Sequence, residues 1–246
     1  MSFGWKEAGA GFGAAALGAI GAVALMGGFG HGGGAGTPDR QATGEIVRQY
    51  ILDHPELLPE AMDRLQDKQT AQAITANRDQ IETPFAGAVA GNPKGDVTLV
   101  EYFDYACGYC RQSVADVDRL IAADPKLRVV YKELPVLDGA ISDRAAQVSL
   151  VAAKAGKFGA FHHALYQVPA PLDDAKTDAV AAKLGLDTSG LSSADIVTEI
   201  NANLATGRSL RMSGTPTFVV GDQLLAGAVG YDALKAAVDK ARTAKG

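Results

Sequence analysis

Two cysteines are all this chain has, and both sit in one Cys107-Gly108-Tyr109-Cys110 step. Just before them runs an apolar, β-branched and aromatic stretch, Val97 to Phe103, and just after them a helix-like segment, Arg111 to Ala122. A dithiol at a strand-to-helix junction has the layout of a redox site. The first turn of a helix offers unpaired N–H groups and a partial positive charge, and both stabilise a thiolate. The thiolate is the species that attacks disulfides. As a staple the pair would close only a four-residue loop, and the entropic gain of a cross-link grows with loop length. The pair therefore reads as chemistry rather than scaffolding. Cys107, at the helix end, is expected to be the exposed attacking thiol, and Cys110, one turn on, the resolving thiol. Gly108 and Tyr109 bring no charge, so thiolate stabilisation falls mainly to the helix N-terminus. Tyr109 is either a hydroxyl donor to the site or a surface aromatic. A zinc half-site would need two more ligands. The candidates His31, His54, His162 and His163 form no His-x-x-x-His step, and the pair at 162 and 163 reads as a helix surface and its cap. No metal and no cofactor beyond the cysteines is expected.

At 246 residues the chain is long enough for one large domain or two smaller ones. A net charge of −5 and scattered Lys and Arg give no basic stripe, so nucleic acid is not an expected partner. Ala8 to Gly30 carries no charged residue, and its most apolar part, Ala14 to Met26, has the length of a signal-peptide core. The whole stretch is also long enough to cross a bilayer. Residues 1–36, ending in the Gly-rich linker Gly27 to Gly36, thus read as a cleaved signal or a retained transmembrane anchor, with a soluble Gly-rich leader as the third alternative. Both export readings place the remainder in an oxidising compartment.

Residues 37–83 form a helical region. Ile46, Val47, Tyr50 and Ile51 share one helical face, and Leu58, Met62 and Leu65 continue at helical spacing. Asp53-His54-Pro55 divides them, with Pro55 expected at the start of the next helix. Gln66 to Ile81 reads as a polar helix whose apolar stripe is too thin for its own core. These helices should dock on the main domain or pair with copies of themselves, and self-association through residues 39–82 is the favoured reading. Thr83 to Gly95 reads as loop. From residue 84 to 246 the order is strand, the cysteine-led helix, a strand at 127–132, a helical and Ala-rich block from Ile141 to about Leu210, strand, the Gly221-Asp222 turn, strand and a closing helix. That is an α/β domain with a mixed sheet. With the helical block removed it has the order of a thioredoxin fold.

The second signal is Gly214-Thr215-Pro216-Thr217-Phe218. A proline directly before a strand is restricted to an edge or a first position. Downstream of a Cys-x-x-Cys, a cis peptide at Pro216 would expose the Thr215 backbone beside the thiolate, where a substrate chain could pair like an added strand.

Residues 97–243 resemble the DsbA-like branch of the thioredoxin superfamily. The marks are Phe103-Asp-Tyr-Ala-Cys-Gly-Tyr-Cys110, Tyr131-Lys-Glu-Leu-Pro135 and Gly214-Thr-Pro-Thr-Phe218. The helical block matches that branch's helical insertion. Ile46 to Gln69, with Tyr50-Ile-Leu-Asp-His-Pro-Glu-Leu57, resembles the N-terminal region of ScsC-type periplasmic thiol-disulfide proteins. The Gly-Tyr between the cysteines departs from the Pro-His of DsbA-type oxidases. It matches the DsbC-type isomerases, as does Thr215 before Pro216. The resemblance implies a periplasmic thiol-disulfide interchange protein acting on exported proteins with cysteines, isomerase or reductase rather than oxidase, served by a membrane redox partner. It also implies that Glu133, at the end of the second strand, lies beneath the cysteines and relays a proton; the alternative is an exposed strand-end glutamate. A DsbA-type dithiol oxidase and a copper-binding thiol protein, with two soft thiolates holding Cu(I), are the rival functions.

Overall fold

The structure, a computed structural model, describes residues 39–245. The expected leader, anchor and linker of residues 1–36 lie outside the described residues, as does His31. Among the described residues no helix is long and apolar enough to cross a membrane.

The chain divides between Pro55 and Glu56 into two compact units. In the first, α1 (Arg40–Asp53) starts where the Asp39 carboxylate accepts from Gln41 N–H and stops at His54, whose N–H donates to the Tyr50 carbonyl. Ile46, Val47 and Tyr50 do share a face, and all three are exposed. In the second unit, α2 runs unbroken from Leu57 to Glu82, where the sequence pointed to a short helix followed by a polar rod. Pro55 sits in the turn two residues before α2 rather than at its first position.

The two ends of α2 behave differently. Leu58, Met62 and Leu65 are exposed. Ile74 and Ile81, one helical repeat apart, are fully buried against Val100, Tyr102, Val130, Leu134, Leu210 and Val219. Each such burial is worth roughly 2 kcal/mol. The polar-looking rod therefore docks on the main domain, one of the two alternatives expected for it. The second compact unit begins at Glu56, well upstream of the expected boundary at residue 84.

A five-stranded sheet forms the middle, in the order β1-β3-β2-β4-β5. β2 (Val97–Phe103) lies parallel to β3 (Leu127–Glu133), joined by the crossover helix α3 (Gly108–Ala123). β4 (Thr217–Val220) runs antiparallel to β2, and β5 (Gln223–Ala226) antiparallel to β4. Gly221 opens the two-residue turn between them with φ +58°, the first-position geometry that favours glycine in tight hairpins. β1 (Val89–Gly91) pairs antiparallel with β3 inside the stretch expected to be loop. Three residues are too few to show an alternation.

Every residue of β2 is buried, as befits a central strand covered on both faces. Its odd positions, Val97, Leu99 and Phe103, join the core under α3 and α8 (Tyr231–Lys245). Its even positions, Val100 and Tyr102, face α2 and α7 (Ala194–Ser209). Between β3 and β4 the helical insertion runs α4 (Gly139–Lys154), α5 (Phe158–Gln167), α6 (Asp174–Lys183) and α7. The fold is thus a thioredoxin-type sheet carrying a helical insertion, with helical elements ahead of it.

Candidate active site

β2 ends at Phe103 and the chain turns through Asp104, Tyr105 and Ala106 into α3. Cys107 is the N-cap of that helix: its sulfur accepts from the Cys110 N–H at 3.3 Å. The same sulfur, as a thiol, donates to the Thr215 carbonyl oxygen at 3.1 Å. The Thr215–Pro216 peptide is cis, and Pro216 leads directly into β4. Cys107, Cys110, Thr215 and Pro216, split in the sequence by more than a hundred residues, meet at one end of the sheet.

The two thiols differ in kind. The Cys107 thiol is pulled down to about 5, first by the Cys110 side chain donating to it, with the Thr215 side chain and the backbone N–H groups of Cys110 and Tyr109 adding to the effect against burial. Burial pushes the Cys110 thiol far up, reinforced by its donation to Cys107. One sulfur is therefore a thiolate at neutral pH and its neighbour a firmly protonated thiol.

Of four expectations for these residues, three need adjusting and one, the choice between two readings of Tyr109, is decided for the surface aromatic. Cys107 is not freely exposed: only 5% of its surface is accessible, because the Thr215–Pro216 segment packs across it. Access comes past Gly108 and Tyr109, both exposed. Tyr109 is 68% exposed, and what acts on the sulfur is its backbone N–H rather than its hydroxyl. Glu133 is buried, not exposed, yet it faces Ser149 and Asp104. Burial holds its carboxyl well above the usual range. The acid whose charge acts on both sulfurs is Glu101, in the middle of β2 and fully desolvated. Burial, then the charges of Asp118 and Cys107, raise it to about 8. A lone acid in an otherwise apolar strand, six residues before Cys107, was the available sign. Fourth, His162 is no surface residue. It is buried among Phe103, Tyr131, Phe158 and Tyr166 at ring separations of 4.8–5.3 Å. Its Nδ1 lies 3.2 Å from the Tyr105 hydroxyl, and burial lowers it to about 3, so the ring is neutral. His163 is the half-buried one at the surface, paired with Asp118.

The insertion is tied to the site by Arg111, the residue after Cys110. Its guanidinium donates to the Tyr166 and Val168 carbonyls at the end of α5. A separate groove of about 830 Å³, lined by residues of α2, the β4–β5 turn and α8, contains none of these site residues. Among the described residues no group of three or more His, Cys, Asp or Glu is placed to hold a metal ion.

This geometry has known counterparts. The family of DSBA-like thioredoxin domains matches residues 98–239, and the N-terminal domain of the copper resistance protein ScsC matches residues 39–72. A thioredoxin-like oxidoreductase from Silicibacter pomeroyi superposes with TM-score 0.64 at 42% identity, over 68% of this chain and 98% of that one. A linker-deleted variant of Proteus mirabilis ScsC superposes with TM-score 0.70 at 28% identity, over 84% of this chain and 95% of that one. A Na(+)/H(+) antiporter, NhaA, of Salinispora tropica is 31% identical over 155 residues, 61% of this chain. The match spans only 24% of that protein, so the chain corresponds to about a quarter of the length of the curated relatives it matches. The match over residues 98–239, with the cysteine pair and Thr215–Pro216 inside it, makes this chain a member of the family of DSBA-like thioredoxin domains.

Proposed function

We propose that this is an exported, periplasmic thiol-disulfide interchange protein that acts on misplaced disulfides of other exported proteins, as isomerase and reductase. One observation carries the reading: a stabilised sulfur at position 107 stands 3.1 Å from the Thr215 backbone, with a buried, protonated thiol one helical turn behind it.

The Cys107 thiolate attacks one sulfur of a substrate disulfide. A Cys107–substrate mixed disulfide forms and the other substrate sulfur leaves as a thiolate. The substrate chain aligns along the Thr215–Pro216 backbone like an added strand. In isomerisation a second substrate thiolate attacks the mixed disulfide and Cys107 returns as thiolate, with no net redox change. In reduction Cys110 gives up its proton, attacks Cys107 and releases reduced substrate, leaving a Cys107–Cys110 disulfide. Glu101, which interacts with both sulfurs, is the proposed acceptor of that proton in its ionised form, a form that grows as pH approaches 8; Glu133 tunes the same face of the sheet from β3. A membrane dithiol donor then reduces the pair.

Gly108 and Tyr109 support the isomerase reading, since no histidine between the cysteines adds to thiolate stabilisation. The exposed apolar side chains of Ile46, Val47 and Tyr50, and separately of Leu58, Met62 and Leu65, support homo-oligomerisation through the N-terminal helices. The second reading is a dithiol oxidase. A thiol drawn down to about 5 favours it, because a more stable thiolate makes a stronger oxidant.

Insulin reduction and refolding of scrambled ribonuclease, run on wild type and Cys107→Ser, test the assignment. Loss of both activities in the serine variant supports it, and undiminished activity removes it. The resting state in cells gives the direction: a reduced pair for the isomerase, an oxidised pair for the oxidase.

A further inference from the structure

We propose that Asp104 is a positioning residue for the dithiol, holding the Cys107 loop in place through the Ala106 N–H. The inference rests on Cys107 being the reacting thiol. Asp104 is buried, and its polar atoms are spent on the site. Its Oδ1 accepts from Ala106 N–H at 2.9 Å and from the Ser142 hydroxyl at 2.8 Å. Its Oδ2 accepts from Val136 N–H at 2.9 Å and Leu137 N–H at 3.0 Å. Its carbonyl accepts from Cys107 N–H at 3.0 Å and from the Tyr166 hydroxyl at 3.1 Å. Its own N–H acts on the Cys110 sulfur.

The carboxylate thus gathers donors from three pieces of chain: the redox loop, the segment after β3, and the first turn of α4. Ala106 immediately precedes Cys107. Its tether bears directly on where that sulfur lies relative to the Cys110 N–H and the Thr215 carbonyl. Those contacts decide how far the thiolate is stabilised.

An amide at this position separates the roles. Asparagine offers one accepting and one donating end. On the Oδ2 side its NH₂ would confront two backbone N–H groups that cannot turn away. On the Oδ1 side it confronts Ala106 N–H and a hydroxyl that can rotate to accept. The NH₂ therefore takes the Oδ1 side. Ala106 loses its acceptor while Val136 and Leu137 keep theirs. Ser142→Ala is the complement. It removes a donor to Asp104 and the acceptor of Asp138 N–H at the start of α4, but leaves Ala106 tethered.

The test is titration of the Cys107 thiolate in each reduced variant, by thiolate absorbance and alkylation rate, beside thermal unfolding. Asp104→Asn removes a carboxylate charge, which alone would lower the midpoint; loss of the Ala106 tether should outweigh this and raise the midpoint by about one pH unit, roughly a tenfold loss of thiolate below the midpoint. Ser142→Ala should leave the midpoint where it is and lower thermal stability. An unmoved midpoint in folded Asp104→Asn, or an equal shift in both variants, overturns the proposal. Should Asp104→Asn fail to fold, amide exchange in the wild type decides. Ala106 N–H protected like Val136 and Leu137 N–H supports the tether, and exchange at the rate of an open loop refutes it. The titration reads the sulfur itself. A wild type inert towards insulin would sink the proposed function without touching this measurement.

Discussion

The Cys107 sulfur and the Thr215 carbonyl oxygen stand 3.1 Å apart although 108 positions separate them in the chain. The contact joins the N-cap of α3 to the segment entering β4. It brings a backbone carbonyl from the segment entering β4 to the Cys107 sulfur, where the proposed substrate strand would pair.

Reactivity at Cys107 should persist well below neutral pH. With the thiol drawn down to about 5, alkylation by iodoacetamide should hold nearly constant from pH 8 to 6 and fall off around pH 5. An ordinary thiol loses its thiolate near 8.5. The same shift links to stability. A folded value below the unfolded one favours the reduced fold at high pH, and that contribution fades as pH falls from about 9 towards 5. Chemical unfolding of reduced wild type against Cys107→Ser across that range should show the difference shrink.

Glu101→Gln should stabilise the fold and slow resolution. Burial raises the Glu101 carboxyl from 4.5 to about 8, so folding opposes its ionisation. The sign follows: between pH 4.5 and 8 the unfolded chain has released a proton that the folded one retains, and stability falls as pH rises. The amide removes that slope, a gain of the order of a few kcal/mol at pH 8 by denaturant unfolding. It also removes the proposed proton acceptor for Cys110. Release of substrate from the mixed disulfide should then slow about tenfold to a hundredfold in stopped-flow assays.

Lys132 and Glu199 form an ion pair at 2.8 Å between β3 and α7, with Lys132 almost wholly buried. Replacing Lys132 by Met strands the Glu199 carboxylate and should cost about 3–5 kcal/mol. The double variant Lys132→Met with Glu199→Leu should recover most of that loss. Urea unfolding midpoints of the four proteins in the cycle measure it. The pair lies on the sheet face away from Glu101, so thiol reactivity should not change in any of them.

The two ends of α2 should respond in opposite ways. Ile74→Ala empties a fully buried position under β2 and should cost about 2–5 kcal/mol in thermal or chemical unfolding. Met62→Glu alters an exposed position and should leave stability within about 0.5 kcal/mol. If the N-terminal helices pair between copies, Met62→Glu should instead lower the mass measured by light scattering while Ile74→Ala leaves it unchanged.

What the chain announces by itself is local or strongly patterned. A run of β-branched and aromatic residues ending in a dithiol and a helix, and a Thr-Pro before a strand–turn–strand–helix, identify the fold and the two cysteines without coordinates. Each rests on chemistry that neighbouring residues carry together. Packing across the sheet decided the rest. Glu101 and Glu133 lie in neighbouring strands, and only the pairing of β2 with β3 under α3 brings the first to the sulfurs and carries the second towards α4. The thin stripe on α2 looked insufficient because its partners, Val100, Tyr102 and Val219, come from strands far along the chain. His162 is indistinguishable from His163 in the sequence, and the aromatic rings that enclose it come from β2, β3 and α5. Burial is a property of what arrives from elsewhere, and desolvation by those distant neighbours sets the charge of each group in the site.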